Sequence, residues 1–473
     1  MSKAIRADYA QKFLFPPCLE DWIPADHSAR FLREFVESLD LKSLGFQEGE
    51  SPEGRPHYGV DLLLKVWLYG YFVKLRSSRQ LEWGCRENVA LIWLTGRHEP
   101  DHNTLWRFWR DHKKALRKVF GQAVEVALGA KLVGMVLHAV DGTKIAAVAS
   151  TKSGWHRKRA ERKLQHLEEL LDAIEGEVEQ AEEVERGEAR MPEELKDRAR
   201  LREKIQEVLE ELKEREEDHE HEGEPEARIM KTEGKAQFAY NAQVVVDQDS
   251  GVIVAQEVVN EETDYRQLVP MLEQVEKNVG AVAEETVADG GYHSAEALGG
   301  AQERGYSVLV NRSQEAAAVK KRGEFHASRF DYDQGHDCCV CPRGEELAFE
   351  REKWNRRKQY RVRVYRCQSF QQCPVRWQCS REKKGRTIEI SPHHGAVLLQ
   401  RAKQQDVHKQ SLLKKRREIV ELPFAWIKQG MGFRRWTVRG LEGTRTQWAL
   451  LCTVLNLRKL YPLWKAKKLC LSP

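Results

Sequence analysis

The chain carries the run Gln243-Val244-Val245-Val246-Asp247 and, after a turn at Gly251, the run Val252–Val259. Near-continuous valine of this kind predicts strands that are covered on both faces. A helical segment from Tyr265 to Val279 comes next, and then a short apolar run that ends at Asp289. Strands that alternate with helices indicate an α/β core.

The same pattern of strand and carboxylate occurs upstream. Residues 136–140 form an apolar run that ends in the sequence DGTK at 141–144, and the later run ends in DGGYH at 289–293. A carboxylate at a strand end beside a glycine turn suits a metal ligand, and it equally suits an ordinary Asp-Gly turn. The pattern alone leaves both interpretations open.

Residues 1–130 are predicted to be helical. The run Val60–Leu75 is apolar enough for a buried helix, and a helix predicted over Thr104–Phe120 carries several basic residues. Short helices that end in a basic one are typical of a helix-turn-helix-like DNA-binding module, with Arg107, Arg110 and Lys114 as DNA contacts. A helical dimerisation domain with a solvated basic face would have the same pattern.

Residues 157–228 differ in character. Leucine and isoleucine recur at steps of three and four residues in two runs, which a break at 187–192 separates. This spacing predicts an antiparallel helical hairpin inserted into the core. We interpret its charges as a solvated face and assign the hairpin no chemistry.

Six of the ten cysteines lie between 338 and 379. In a reducing compartment such a cluster indicates metal binding, and Cys338-x2-Cys341 with Cys373 and Cys379 would suit a structural zinc ion. Cys339 and Cys367 can replace members of this set, and unliganded thiols are the alternative. Residues 351–386 carry 13 basic and 2 acidic side chains, so this module would face DNA.

Charge is segregated along the chain although its formal net value is only +5. Residues 401–473 contain 17 Lys and Arg against 4 Asp and Glu. Basic blocks of this kind predict a polyanionic partner, most often nucleic acid. No apolar run is long enough to span a membrane, and no signal-peptide pattern is present, so we expect a cytoplasmic, nucleoid-associated protein.

The basic C-terminal block holds the sequence VELPFAWIK at 420–428. On a helix Arg417, Glu421 and Lys428 would share one face. Glu421 then suits either a metal ligand beside a polyanion or a surface ion pair. Pro423 requires that a helix bends there or begins there. If a helix begins there, the argument that Arg417, Glu421 and Lys428 share one face is weaker.

In order and spacing these motifs resemble those of bacterial insertion-sequence transposases of the DDE class, which have a ribonuclease-H-like core. In the signature Tyr-x2-Arg-x3-Glu-x6-Lys, Arg417, Glu421 and Lys428 keep the spacing, and Lys414 stands where Tyr is usual. The matching stretches are LLKVWLYGY at 63–71, RSSRQLE at 76–82, PDHNT at 100–104, VDGTK at 140–144, YNAQ at 240–243 and ADGGY at 288–292.

The resemblance implies a catalytic triad of Asp141, Asp289 and Glu421. Three carboxylates suffice for two Mg²⁺ or Mn²⁺ ions about 3.5–4 Å apart, the arrangement that phosphodiester cleavage uses. It also implies double-stranded DNA as partner, both as element ends and as target, and a homodimer on that DNA. The implied DNA-binding residues in the core are Arg417, Lys428, Lys144 and Tyr292.

The expected fold is therefore α/β, a ribonuclease-H-like core with a helical N-terminal domain, a helical-hairpin insertion and a Cys-rich insertion. The expected function is DNA strand cleavage and strand transfer at the ends of an insertion sequence. A non-catalytic DNA-binding regulator derived from a transposase is the alternative, and a stand-alone metal-dependent nuclease is a third possibility. The predicted segments are 1–130 for DNA binding, 131–156, 229–325 and 391–473 for the core, 157–228 for the hairpin and 326–390 for the Cys-rich insertion.

Overall fold

The computed structural model describes residues 18–48, 57–149, 154–182, 193–214, 219–221, 223–311, 319–321, 323–355 and 360–471. The predicted break at 187–192 lies outside these ranges. Within them, no helix combines the length and the apolar character that a bilayer crossing requires.

Within the described residues, the N-terminal part consists of seven α-helices and a short 3-10 helix, Leu19–Trp22. Ser77 and Gln80 form a capping box, and the Asp101 side chain accepts hydrogen bonds from the backbone amides of Asn103 and Thr104. The single helix predicted over Thr104–Phe120 is wrong, because the backbone of His112 leaves the helical conformation and divides it in two. The helices are α1 (Ser28–Glu37), α2 (Leu41–Leu44), α3 (Val60–Phe72), α4 (Ser78–Glu87), α5 (Val89–Leu94), α6 (His102–Asp111) and α7 (Lys113–Gly129).

A mixed six-stranded sheet forms the centre of the molecule. Its elements, with the neighbouring ribbon and helices, are β1 (Leu137–Ala146), β2 (Gly154–His156), α8 (Arg157–Glu182), α9 (Glu193–Glu214), β3 (His219–His221), β4 (Arg228–Thr232), β5 (Lys235–Asp247), β6 (Ile253–Val259), α10 (Leu268–Val279), β7 (Glu285–Ala288), α11 (Ala295–Glu303) and β8 (Val308–Val310). Strand β1 runs antiparallel to β5 on one side and parallel to β7 on the other, and β8 extends the sheet beyond β7. Strands β4 and β6 pair with successive parts of the far edge of β5.

The two long helices of the predicted hairpin are present. Leu167 of α8 and Ile205 of α9 are buried together in a small core of their own. The strands at the base of the hairpin, β2 and β3, pair with each other, and β3 also contacts β4 of the central sheet. The hairpin is therefore joined to the core through a short two-stranded ribbon.

A second sheet carries the clustered cysteines. Its elements are β9 (Asp331–Asp333), β10 (Cys338–Val340), β11 (Glu346–Asn355), β12 (Tyr360–Cys367), α12 (Arg376–Cys379) and β13 (Thr387–Ile390). The five strands are antiparallel and in the order β13-β12-β11-β10-β9, around a core that includes Cys339, Leu347 and Tyr365.

Three helices complete the chain: α13 (His394–Lys403), α14 (Val407–Ala425) and α15 (Leu441–Lys465). Helix α14 lies against β1 and β7, whereas α10 and α15 lie against β6. The Asn456 side chain of α15 both accepts from and donates to the backbone of Ile253. One hydrophobic core runs from the N-terminal helices through the sheet to α15, and the predicted domain boundaries stay a prediction.

Candidate active site

The first two predicted acids lie side by side on neighbouring strands. Val140 of β1 pairs with Ala288 of β7 in parallel register, so Asp141 and Asp289 come next at the same level of the sheet. The backbone amide of Gly142 donates to Asp141 Oδ1 at 2.8 Å, and that of Gly291 donates to Asp289 Oδ1 at 2.8 Å. Each carboxylate is thus oriented by a neighbouring backbone amide. Asp289 follows β7 at the turn Gly290–Tyr292, but Asp141 lies within β1, which continues to Ala146, so the strand end predicted at Asp141 is wrong.

The electrostatic environment of Asp141 favours a bound cation. Burial raises the pKa of its carboxyl group, and the neighbouring charge of Asp289 raises it further, whereas Arg416 and the Gly142 amide lower it. Two carboxylates that are close together and partly desolvated repel each other, so a divalent ion between them would relieve both costs. Their oxygen atoms are also the donors that Mg²⁺ and Mn²⁺ prefer.

The arginine that reaches this site is Arg416, not the predicted Arg417. Arg416 Nη1 lies 2.6 Å from Asp141 Oδ2, and both side chains are largely buried. Ile419, Val420 and Pro423 define the buried face of α14, and Arg416 lies on that face, three and four residues before the first two of them. Arg417 is therefore turned outward.

The third predicted acid does not join the other two in this structure. The side chain of Glu421 is 67% exposed, and its described ion-pair partner is Arg417, whose Nε lies 3.4 Å from Glu421 Oε1. The surface ion pair that the sequence allowed is therefore present. In the described part of the chain, no three His, Cys, Asp or Glu side chains are grouped as metal ligands, so the triad stays a prediction.

Lys428 leaves the face that it was predicted to share with Arg417 and Glu421. Helix α14 continues through Pro423 and then widens into a π-turn over Trp426–Gly430, where the amide of Met431 donates to the carbonyl of Trp426. A π-turn adds a residue to the helical turn and so rotates the side chains beyond it. Lys428 is half-buried, and burial lowers its pKa while Glu233 and Asp141 counteract that change.

A third carboxylate near the pair is one that the sequence did not indicate, Asp264. Its Oδ1 accepts hydrogen bonds from Asn241 Nδ2 and Gln243 Nε2, both at 2.7 Å. A Cβ atom placed on Gly291 would lie 3.1 Å from Asp264 Oδ2 and 2.9 Å from Asp289 Oδ1. Asp264 and Asp289 therefore flank one glycine turn, and only a residue without a side chain fits between them.

Asp264 was missed because it lies in the loop after β6 and has no Asp-Gly pattern. The available signal was the pair of amides at 241 and 243 in the matching stretch YNAQ. Amide side chains that alternate along a buried strand require a polar partner on the face they share. That partner is Asp264.

Two predicted DNA contacts in the core occupy other environments. Tyr292 is completely buried, and its hydroxyl donates to Gln243 Oε1, so its ring is not available to a DNA base. Burial raises its pKa, and so do the charges of Asp264, Asp141 and Asp289. Lys144 is partly buried opposite Asn241.

A cleft of about 870 Å³ opens next to the loop that carries Asp264. The residues on either side of Asp264 and the start of helix α11, which comes after Asp289, form part of its walls. Its lining residues include His219, Arg228, Tyr265, Arg266, His293 and Glu296. Segments that carry or follow two of the acids thus border the cleft, while the acids themselves lie outside its lining.

The predicted basic residues of the N-terminal part are exposed. Arg107 and Arg110 lie on α6 and Lys114 lies on α7, with the break at His112 between them. Arg110 forms an ion pair with Asp111, whose Oδ1 is 2.7 Å from Arg110 Nε. The structure thus leaves these residues accessible to DNA.

The cysteines fall into two groups. The thiol of Cys379 interacts electrostatically with those of Cys341, Cys367 and Cys373, whereas the corresponding neighbours of Cys338 are Glu346, Asp333 and Asp337. The backbone amide of Arg343 donates to Cys341 Sγ at 3.3 Å. Cys338 therefore has a different environment from the other three predicted ligands, and Cys367 is their nearer neighbour, but within the described residues these thiols are not grouped as metal ligands.

Two family models match separate parts of the chain. The model described as "Transposase domain (DUF772)" matches residues 17–111, which include α1 to α6. The model described as "Transposase DDE domain" matches residues 340–461, from the cysteine-bearing sheet to helix α15. No curated protein matches the chain. Both models describe transposases, their order agrees with that of the motifs, and together the two matches indicate a DDE transposase of the insertion-sequence kind.

Proposed function

We propose that this transposase cleaves DNA strands at the ends of its insertion sequence and joins them to target DNA, using divalent metal ions held by Asp141 and Asp289. The observation that carries the proposal is the pairing of β1 with β7, which sets these two carboxylates next to each other. The partly buried site and the oxygen donors fit Mg²⁺ or Mn²⁺.

The residues of the chain have separate roles in this proposal. When bound, a pair of divalent ions activates the attacking oxygen and stabilises the leaving oxygen. Asp141 and Asp289 hold the ions, and Asp264 fixes the turn that carries Asp289. Lys428 lies near Asp141 and provides positive charge for a DNA phosphate. Arg416 neutralises Asp141 until the ions and the DNA are bound.

The third ligand in this proposal is Glu421. Helix α14 carries it and already reaches the site through Arg416. Glu421 would have to exchange its exposed ion pair with Arg417 for the metal, and exposed ion pairs contribute at most about 1 kcal/mol. Because Glu421 lies on the outward side of α14 with Arg417, this part of the helix would also have to turn toward the site when metal and DNA bind. Two element ends must be held together for transposition, and we therefore infer a homodimer on DNA.

The non-catalytic regulator remains a second candidate because Arg416 already compensates the charge of Asp141. One experiment separates the two functions. The protein is incubated with duplexes taken from the DNA that flanks its coding sequence, in Mg²⁺ or in EDTA. The transposase should produce Mg²⁺-dependent strand breaks with 3′-hydroxyl ends. Binding without breaks in either condition would favour the regulator.

We propose that the cysteine cluster holds one structural zinc ion, which would draw together four thiols that the described structure does not itself group as ligands. Cys341, Cys367, Cys373 and Cys379 replace the set predicted from spacing, since Cys338 lies among carboxylates. Gly344 has a positive φ of 83°, so the turn that begins at Cys341 can fold back under its sulfur atom. Four thiolates are a complete ligand set for structural zinc.

We expect purified protein to contain about one zinc ion per chain, because a four-thiolate site of this kind is closed. Cys379→Ser should remove the zinc, whereas Cys338→Ser should retain it. Elemental analysis of the parent and both variants measures this directly. Zinc lost equally in both variants would restore the set predicted from spacing, and a zinc-free parent would exclude the site.

A further inference from the structure

We infer that the first three turns of helix α8 form a DNA-backbone binding face, which continues the path of the duplex away from the carboxylates. The inference rests on the proposed function, because it names the surface that holds the DNA on one side of that site. It gives the hairpin a role in place of the plain solvated face that its sequence indicated.

The face consists of five basic or imidazole side chains at helical spacing. They line a groove of about 700 Å³, and the four that belong to the helix are exposed. They are His156, Arg159, Arg162, Lys163 and His166. Residues three, four and seven positions apart lie on one side of a helix, so these charges point the same way.

The cations of this face are not neutralised by described carboxylates. Arg162 Nε donates to the carbonyl of Lys158, and Lys163 Nζ lies 5.2 Å from the ring centre of Trp155. Neither they nor Arg159 form an ion pair within the described ranges. By contrast, Arg157 on the same helix lies 3.9 Å from Glu161. Unpaired cations on one face suit the phosphates of a polyanion.

The sequence of α8 is polarised along its length. Residues 157–169 contain five Lys and Arg and three Glu, whereas residues 170–182 contain no Lys or Arg and five Asp and Glu. A helix that needed only solubility would have both signs interspersed along it. This distribution of charge attracts DNA to the base of the hairpin and repels it from the far part.

Two histidines connect this face to the cleft beside the acids. His156 pairs with His219 across the β2–β3 ribbon, and their ring centres are 4.4 Å apart. His219 lines the cleft together with His293, which lies just after the Asp289 turn. The groove on α8 and the cleft are therefore linked through one pair of contacting histidines. In this inference, a duplex that places one phosphate at the carboxylates would pass over this part of α8.

Contacts to phosphates carry no base information, so binding to this face is independent of sequence. A random-sequence duplex is thus the appropriate probe. The test compares the parent with the triple variant Arg159→Gln, Arg162→Gln and Lys163→Gln, measured by fluorescence anisotropy in EDTA across a KCl series. Arg200→Gln with Lys213→Gln on α9 is the matched control, because it removes charge from the other helix of the same hairpin.

The plot of log K against log salt concentration has a negative slope. Its magnitude decreases by about 0.9 for each phosphate that the protein no longer neutralises, so the slope of the triple variant should be less steep by about 2.7. The control should keep the slope of the parent. Replacement of both arginines by lysine should leave the slope close to that of the parent, since lysine keeps the charge. Equal melting temperatures show that all variants are folded.

An unchanged slope in the triple variant, or an equal decrease in the α9 control, overturns the inference. So does a parent that does not bind the duplex, and so does stronger binding of a single-stranded RNA of the same length. The result is independent of cleavage, because EDTA is present throughout. A parent that binds through α8 but never cuts in Mg²⁺ would contradict the proposed function alone.

Discussion

Asp141→Asn and Asp289→Asn are each expected to reduce the rate of strand cleavage by at least about a thousandfold. A metal ion contributes several kcal/mol of transition-state stabilisation, and each 1.4 kcal/mol is about a factor of ten in rate. Asparagine keeps an oxygen that can accept the Gly142 or Gly291 amide, so the local backbone conformation should be preserved. The decrease in rate would therefore come from the missing negative charge.

Single-turnover cleavage of duplexes from the flanking DNA measures this effect, with anisotropy as the measure of binding. Both variants should bind these duplexes as tightly as the parent does. Asp331→Asn is the control, because Asp331 is an exposed acid on the cysteine-bearing sheet. Variants that cut within a factor of about three of the parent, which is under 1 kcal/mol, would remove both residues from the catalytic site.

Glu421→Gln is expected to reduce cleavage at saturating Mg²⁺ by about 10²- to 10³-fold, the range seen when one preorganised charge-stabilising group is removed. Asp264→Asn should reduce the cleavage rate by a smaller factor, about 10- to 100-fold, since Asp264 acts on Asp289 through the Gly291 turn. The two effects should also differ in kind. Asp264→Asn should raise the Mg²⁺ concentration needed for half-maximal rate and recover at high Mg²⁺.

Mg²⁺ titrations of the cleavage rate distinguish the two variants, with Glu418→Gln as control. Glu418 is an exposed acid on the same helix, three residues before Glu421. If Glu421→Gln cuts normally while Asp264→Asn is as inactive as Asp141→Asn, then Asp264 is the third ligand. The assignment taken from the family signature would then be wrong for this chain.

Strand register explains why the neighbouring positions of Asp141 and Asp289 could be predicted from the sequence. Each acid follows a buried apolar run, and the parallel pairing of these two runs brings the acids side by side. The valine-rich strands, the helical hairpin and the capping box at Ser77 were equally readable, because each is a local pattern. The family signature depends on the order and spacing of motifs, which are also properties of the sequence.

The residues that were missed depend on tertiary contacts. Whether Arg416 or Arg417 faces the site depends on which side of α14 is buried. All four residues of the run 414–417 are basic, so the run itself does not indicate which of them faces inward. The π-turn after Pro423 changes the direction of Lys428 without a sequence signal. Tyr292 is buried by its contact with Gln243, which is 49 positions away in the chain.

The most direct test of the proposed metal site is to locate the ion in the folded protein. Fe²⁺ bound in place of Mg²⁺, with ascorbate and peroxide, cuts the backbone next to its ligands, and mass spectrometry identifies the cut positions. We expect cuts beside Asp141 and Asp289 that excess Mg²⁺ suppresses and that Asp141→Asn abolishes. Cuts elsewhere with none at these two acids, or cuts there that persist in Asp141→Asn, would contradict the assignment of these carboxylates to the metal.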